Sequence, residues 1–131
     1  MHATELDVRF SDLDPYGHVN HAVYLTYCEI GRVAALEAVG MPLDRMQRDG
    51  FHVPIVEVLV RFEQPAVLGD RLTVTSVLTE LRAASARWEQ TISRGARTLA
   101  TAWVRNAITD SDGRPCRGPA GLAEALDALR G

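Results

Sequence analysis

The amino-acid sequence predicts an α+β fold in which an antiparallel sheet of about five strands wraps around one long central helix. Two observations support this fold class. Residues 21–39 contain no proline and are mostly apolar, which indicates one buried helix, whereas most of residues 55–108 alternates between apolar and polar side chains, as half-buried strands do. No repeat, linker or low-complexity tract interrupts residues 1–131, so we expect a single domain.

The first strand is predicted over residues 5–11, where Leu6, Val8 and Phe10 alternate with polar residues. Residues 12–20 then collect two aspartates, a proline, a glycine and an asparagine. This composition breaks regular structure and is typical of a turn that leads into a helix. We therefore expect a polar loop immediately before the long helix.

The long helix is predicted over residues 21–39, about five turns, because Gly40 and Pro42 supply a stop signal. Apolar and aromatic residues cover most of its circumference, which is typical of a buried helix. Residues 42–50 are a short polar stretch that is compatible with a helical turn.

The remaining strands follow from alternating apolar residues. They are predicted over residues 56–63, 72–79, 86–92 and 97–108. Two short connections that contain glycine, residues 68–70 and 94–96, predict antiparallel hairpins. A turn-rich loop over residues 110–118 precedes a C-terminal amphipathic helix. That helix is indicated by Leu122, Ala125, Leu126 and Leu129.

The composition argues against two classes of partner. A net charge of −3 and a pI near 5.8 are unlike the strong positive excess of a nucleic-acid binder. No run approaches the roughly 20 apolar residues of a membrane span, and the first residues lack the features of a signal peptide. We therefore expect no membrane association and a cytoplasmic protein.

Cys28 and Cys116 lack the spacing of a disulfide scaffold and are expected to be reduced thiols.

The most informative pattern is the segment of residues 9–24, RFSDLDPYGHVNHAVY. It closely resembles the Asp-x-Asp-x-x-Gly-x-Val loop, followed by Asn and Tyr, of the 4-hydroxybenzoyl-CoA thioesterase group of hotdog enzymes. The order of elements is similar over nearly the whole chain, and Gly69-Asp70 resembles the family's Gly-Asp turn. The resemblance implies the hotdog fold and hydrolysis of an acyl-CoA to a free acid and CoA, without a cofactor.

Within this motif, the resemblance implies that Asp14 is the catalytic carboxylate, either as a nucleophile on the thioester carbonyl or as a general base for water. Both roles suit an oriented carboxylate, because the CoA thiolate leaves easily in either case. The N-terminus of the long helix offers free N–H groups to the carbonyl oxygen. The resemblance places that oxygen near the backbone N–H of His21. Gly17 would let the loop approach the substrate closely, because it lacks a Cβ.

Four further residues have a candidate functional role, and each of them also has a purely structural explanation. His18 is a candidate to orient Asp14, hold a water or shuttle a proton, unless it only satisfies loop backbone groups. Asn20 is a candidate substrate contact and also a favoured helix N-cap. Tyr24 is a candidate substrate contact or a core residue. Glu57 is a candidate to line the site from a partner subunit, or an outward-facing residue of an alternating strand.

The phosphates of CoA call for arginines beside the acyl site. Arg82 and Ser85 match by position the basic stretch that holds these phosphates in the relatives, although Ala83 and Ala84 replace further basic residues. Either CoA is held more weakly, or other arginines contribute, or the carrier is acyl carrier protein. We also expect a homodimer joined edge to edge, because an open strand edge invites aggregation. The resemblance implies active sites at the subunit interface and leaves a homotetramer open.

Three other interpretations fit parts of this motif. Asp14, His18 and His21 suggest a metal site, but the start of the helix aims the two histidines differently, so no metal is predicted. A hotdog hydratase or dehydratase would use an acid–base pair that Asp14 and His18 imitate. A non-catalytic acyl-CoA-binding protein would lack the carboxylate or carry a DNA-binding segment. The sequence leaves the acyl length, and whether the acid is aromatic, open.

Overall fold

The computed structural model describes residues 1–131 as a five-stranded antiparallel sheet with helices. The elements are β1 (His2–Asp7), α1 (Val23–Ala38), α2 (Leu43–Arg48), β2 (Ile55–Phe62), β3 (Arg71–Arg82), β4 (Ser85–Arg94), β5 (Arg97–Ala107) and α3 (Leu122–Leu126). The strand order is β1-β3-β4-β5-β2, and every neighbouring pair is antiparallel. The predicted α+β class and five strands are confirmed. None of the helices has the length and apolar character needed to span a membrane.

One face of the sheet carries most of the hydrophobic core. Alternate residues of β3, β4 and β5 are buried, as the period-2 pattern predicts. The large buried side chains on this face include Leu72, Val74, Leu78, Trp88 and Ile92. Helix α1 packs on the same face, across β1, β3 and β4.

Helix α1 lies very close to the sheet at Gly31. A Cβ at this position would lie 2.6 Å from Cγ1 of Val74 and 3.0 Å from Oγ of Ser76, so a side chain does not fit without movement. Beside this contact, Nε2 of Gln90 donates hydrogen bonds to the Cys28 carbonyl and to Oγ of Ser76, both at 2.8 Å. The amide nitrogen of Gln90 is thus paired, as a polar group in the low-dielectric interior should be.

The first strand and the long helix have different boundaries from those predicted. The strand covers His2–Asp7 rather than residues 5–11, because a 3₁₀ turn takes over after it. The Asp12 carboxylate accepts the backbone N–H of Arg9 and closes this turn. Phe10 is consequently 80% exposed instead of buried. Helix α1 has 16 residues, fewer than predicted, because the chain still forms a turn directly before it.

The prediction of a hairpin at residues 68–70 was wrong. Strand β2 pairs with β5 at the edge of the sheet, whereas β3 lies between β1 and β4. Strand β2 ends at Phe62 and β3 begins at Arg71, so the intervening chain is long enough to cross over β5 and β4. By contrast, residues 94–96 form the predicted hairpin between β4 and β5. The C-terminal helix is confirmed, since Leu122 and Leu126 of α3 are buried.

Candidate active site

The two aspartates of the loop between β1 and α1 have different surroundings. Asp12 is only 2% exposed. Its carboxylate accepts hydrogen bonds from the Tyr27 hydroxyl at 2.7 Å, the Arg9 backbone N–H at 3.0 Å and the Arg9 guanidinium at 3.1 Å. Burial alone would raise the pKa of Asp12, but the hydrogen bonds together lower it. Asp12 is therefore a bonded, ionised group that ties the loop to α1.

Asp14 is held by its own loop and keeps one oxygen free. Its Oδ1 accepts the backbone N–H of Tyr16 at 2.8 Å and that of His18 at 3.1 Å. The Gly17 N–H donates to the Asp14 carbonyl at 3.1 Å. This turn needs glycine, because Gly17 has a φ of 80°, in the left-handed region. Oδ2 of Asp14 accepts no hydrogen bond within the chain, so the carboxylate is oriented and available.

The turn before α1 is organised by Asn20. Its Oδ1 accepts the backbone N–H of Ala22 at 2.9 Å, which closes an Asx turn; the N-cap position of α1 itself is Ala22 and carries no side-chain cap. The Asn20 carbonyl accepts the N–H of Val23 at 2.9 Å, and the Asn20 N–H donates to the Asp12 carbonyl at 2.8 Å. The backbone N–H of His21 has no hydrogen-bond partner in the chain. An unpaired donor therefore lies at the positive end of the helix dipole.

A cavity of about 380 Å³ opens beside Asp14. It brings together four of the residues predicted for the site, and its lining consists of Asp14, His18, Val19, His21, Tyr24, Phe62, Glu63, Gln64 and Pro65. The wall from Phe62 to Pro65 was not predicted, because these residues belong to no motif and reach the cavity only through the crossover after β2. The polar run that ends this strand is the one sequence signal that marks it. Gly17 and Asn20 shape the loop and do not line the cavity.

The segment after β2 is fixed against this loop by several contacts. The Tyr24 hydroxyl accepts the backbone N–H of Ala66 at 3.1 Å, and the Ala66 carbonyl accepts the N–H of Val19 at 2.9 Å. The rings of Tyr24 and Phe62 pack edge to face, with centroids 5.1 Å apart. Burial raises the pKa of Tyr24, so its hydroxyl stays protonated. The cavity therefore has a fixed wall opposite Asp14.

Three residues predicted for the site lie elsewhere in the chain. Val58 and Phe62 of β2 face α1, which puts Glu57 on the opposite face of the sheet, where it lies 3.7 Å from Arg105. Arg82 is 72% exposed and pairs with Glu80 at 2.9 Å. Arg82 and its strand partner Ser85 flank the β3–β4 turn, at the opposite end of β3 from the Asp14 loop. Strand alternation thus turns Glu57 to the outward face of its own sheet, and its contact with the site of a partner subunit stays a prediction.

A second cavity, of about 340 Å³, lies between α1 and the sheet at the end where β2 begins. Seventeen of its 22 lining residues are hydrophobic, so it suits an apolar group. Ile55, Val58, Leu81, Ala86, Trp88 and Val104 line it from the strands, and Arg32 is a charged residue that lines it from α1. The two cavities share no lining residue. No group of three or more His, Cys, Asp or Glu residues is arranged to hold a metal ion.

Comparison with known families gives a match over most of the chain. The model of the thioesterase-like superfamily matches residues 8–126. An acyl-acyl carrier protein thioesterase of Arabidopsis thaliana is 38% identical over 64% of this chain and 44% of its own length. The long-chain acyl-CoA thioesterase FadM of Escherichia coli is 36% identical over 69% of this chain and 67% of its own. The chain spans about half the length of the first curated relatives that it matches, 44% and 49%.

Solved structures resemble the whole chain. A hypothetical protein of Thermus thermophilus has a TM-score of 0.93 at 31% identity, with 98% of each chain covered. A Thermus thermophilus thioesterase solved with coenzyme A and zinc has a TM-score of 0.82 at 31% identity, covering 97% of this chain and 92% of its own.

Proposed function

The chain belongs to the thioesterase-like superfamily, and we propose that it hydrolyses an acyl-CoA thioester to a free acid and CoA. One observation carries the proposal. Asp14 has one carboxylate oxygen fixed by two backbone N–H groups and the other free, and it lines a cavity that is also lined by His21, whose backbone N–H is unpaired. A thioester needs these two features, a nucleophile or base and a donor for its carbonyl oxygen.

The proposed reaction uses the start of α1 as an oxyanion site. The thioester carbonyl oxygen accepts the His21 N–H, where the helix dipole stabilises the negative charge that develops on attack. Asp14 either attacks the carbonyl carbon to form an anhydride, which water then hydrolyses, or takes a proton from the attacking water. In both cases the carbon–sulfur bond breaks and CoA leaves as a thiolate. The two roles remain alternatives for Asp14.

The neighbouring residues are proposed to support this chemistry. The His18 backbone orients Asp14, and its side chain lines the same cavity, where it is proposed to hold water beside the carboxylate. Gly17 closes the turn on which Asp14 lies. Asn20 is proposed to leave the His21 N–H free by bonding the next amide instead. Tyr24 is proposed to contact the substrate from the wall of the cavity.

We propose that the chain acts as a homodimer joined through β2, with the hotdog arrangement of a sheet curved around α1. Strand β2 is an edge of the sheet, and Val56, Leu59 and Phe62 on it are exposed. A flat apolar edge is a liability unless it is covered. Antiparallel pairing about a two-fold axis would join two such edges into one sheet.

This pairing would combine features of two subunits in one site. The Asp14 cavity lies where β2 ends, at Phe62, and the apolar cavity lies where β2 begins, at Ile55. Two-fold antiparallel pairing places the end of one β2 beside the start of the other. Asp14 of one subunit would therefore act on an acyl group held in the apolar cavity of the other.

The same pairing gives Arg82 and Ser85 a role with CoA. They flank the β3–β4 turn, which also lies at the end of the sheet where β2 begins. Strand β4 of the second copy would be three strand spacings from β2, about 15 Å. An extended pantetheine arm spans this distance, so we propose that Arg82 and Ser85 bind the CoA phosphates of the opposite site. Acyl carrier protein is an alternative carrier, because two of the similar curated proteins are named for it.

Thiol release from a panel of acyl-CoAs tests the proposed function. Wild type should release CoA from at least one substrate, and Asp14→Asn should lower kcat by about 10²-fold or more, since the carboxylate is the proposed nucleophile or base. Asp49→Asn, an exposed aspartate outside both cavities, should leave the rate unchanged. Full activity of Asp14→Asn, or hydration of crotonyl-CoA by wild type in place of thiol release, would contradict the proposal. Binding without turnover by wild type would point to a sensor.

A further inference from the structure

Arg32 is a charged residue in mostly apolar surroundings. It lies on α1 and lines the 340 Å³ cavity with residues such as Cys28, Leu36 and Trp88. Burial lowers the pKa of Arg32, which records how far the guanidinium is removed from water. A charge placed in such a site is costly unless it is paired or hydrogen-bonded.

The hydrogen bonding of Arg32 is incomplete. Its Nη1 donates to Oε1 of Gln90 at 2.8 Å, and this is its one hydrogen bond. The amide of Gln90 is fixed in turn, because its nitrogen donates to Cys28 and Ser76. The remaining N–H groups of Arg32 have no hydrogen-bond partner in the chain, and their nitrogen atoms are not fully buried. The guanidinium is thus oriented by a neutral amide while most of its donors stay available.

No carboxylate of the chain neutralises Arg32. It takes part in none of the ion pairs, and Glu29, one turn earlier on α1, contributes only a more distant charge. The other arginines on the strands beside it, such as Arg87 and Arg105, do have acidic neighbours. The chain therefore keeps a cation with unused donors in a mostly apolar cavity, where Glu29 is the one carboxylate in the lining and forms no ion pair with it.

We infer that Arg32 is a specificity-determining residue, which selects acyl groups carrying a carboxylate in the part of the chain distant from the thioester. The apolar lining holds the methylene groups, and the free guanidinium N–H groups bind the carboxylate oxygens in the forked geometry that arginine favours. The inference rests on the proposed function, since it assigns the apolar cavity to the acyl group.

Matched substrate pairs test this inference. The mono-CoA thioesters of six-, eight- and ten-carbon dicarboxylic acids are compared with the CoA thioesters of the monocarboxylic acids of equal length. For at least one length, we expect wild type to have a kcat/KM for the dicarboxylic substrate at least tenfold above that for its partner. In Arg32→Met, which keeps the length of the side chain, this ratio should fall at least tenfold, mainly through KM. Arg32→Lys should retain part of the preference.

Controls separate a specificity role from a structural one. Arg48→Met replaces an exposed arginine of α2 and should keep the wild-type ratio. Thermal unfolding shows whether Arg32→Met folds, and the ratio between its matched substrates is read independently of its absolute rate. If no length shows the preference, or if the preference survives in Arg32→Met, the inference is overturned while the proposed hydrolysis stands. If wild type releases CoA from none of the substrates, the proposed function itself fails.

Discussion

Asp12 and Asp14 are two residues apart in the loop before α1, and hydrogen bonding gives them different chemistry. The hydrogen bonds to the Asp12 carboxylate come from Arg9, in the same loop, and from the hydroxyl of Tyr27, on α1. Burial and the Asp12 hydrogen bond raise the pKa of Tyr27, so that hydroxyl remains a donor. Asp14 receives its bonds from its own turn and retains a free oxygen. One aspartate stabilises the loop, and the other is left for a ligand.

The lowered pKa of Asp12 predicts a loss of stability in acid. Because its pKa is lower in the folded chain than in the unfolded one, its stabilising effect is complete above the unfolded-state value of about 3.9 and is lost as the pH falls through the native value. Asp12→Asn should cost about 1–3 kcal/mol at pH 7, because the bonds to a buried charged group are lost. The free energy of unfolding is measured by urea titration between pH 2 and pH 7.

The comparison between variants isolates Asp12 from the other carboxylates. The difference between wild type and Asp12→Asn should be constant at neutral pH and shrink as the pH falls below about 4. Asp49→Asn should follow wild type at every pH. A difference between wild type and Asp12→Asn that does not depend on pH would show that the ionised form of Asp12 contributes nothing.

At this scale the sequence motif predicted much of the candidate site. The structure brings Asp14, His18, His21 and Tyr24 to one cavity. The motif carries this information because these residues are close along the chain and one turn positions them. The wall at Glu63 and Gln64 could not be predicted, since only the crossover after β2 brings it near.

The packing of α1 on the sheet depends on one position without a side chain. Gly31 lets the helix backbone approach Ser76 and Gln90 closely enough for the Gln90 amide to donate to the Cys28 carbonyl. The same amide orients Arg32, so the close approach also positions a charge in the apolar cavity. A glycine inside a helix costs helix propensity, roughly 1 kcal/mol, and here the packing offsets that cost.

Gly31→Ala should therefore destabilise the protein although alanine favours helices. The new Cβ would lie 2.6 Å from Cγ1 of Val74, so the helix or the strand must shift. Overpacking of this kind costs about 1–3 kcal/mol. Thermal and urea unfolding measure the loss. Adding Val74→Ala removes the closest contact, so the double variant should lose less than the sum of the two single changes. Equal or higher stability of Gly31→Ala alone would contradict the close approach.

The elements themselves could be predicted better than their pairing. Alternation of apolar residues located β2 to β5 because each strand buries one face or lies at an edge. The same alternation says nothing about which strand lies beside which, and the hairpin expected between β2 and β3 is a crossover. The start of the first strand was missed because His2 and Thr4 are only half-buried and Ala3 is exposed, so these residues carry little apolar signal.

At the scale of the whole molecule, the proposed catalytic group and the proposed acyl cavity lie at opposite ends of β2. Asp14 lies beside the end of this strand and Arg32 lies near its start, so one chain does not bring them together. Antiparallel pairing of two copies along the free edge of β2 would bring them together, because it places the end of one β2 beside the start of the other. The proposed dimer thus follows from the proposed chemistry as well as from the exposed edge of β2.

A complementation experiment tests whether two chains share each site. Asp14→Asn removes the carboxylate, and Val53→Trp fills the apolar cavity, which Val53 lines from the segment before β2. Each homodimer should be inactive. Heterodimers isolated with two different affinity tags should regain about half of the wild-type thiol release, because one of their two sites combines an intact Asp14 with an intact cavity from the other chain. If each chain used its own cavity, neither site would be intact and the heterodimer would stay inactive. Heterodimers of wild type with Asp14→Asn are the reference for this rate of thiol release, because they also have an intact Asp14 in only one of their two sites.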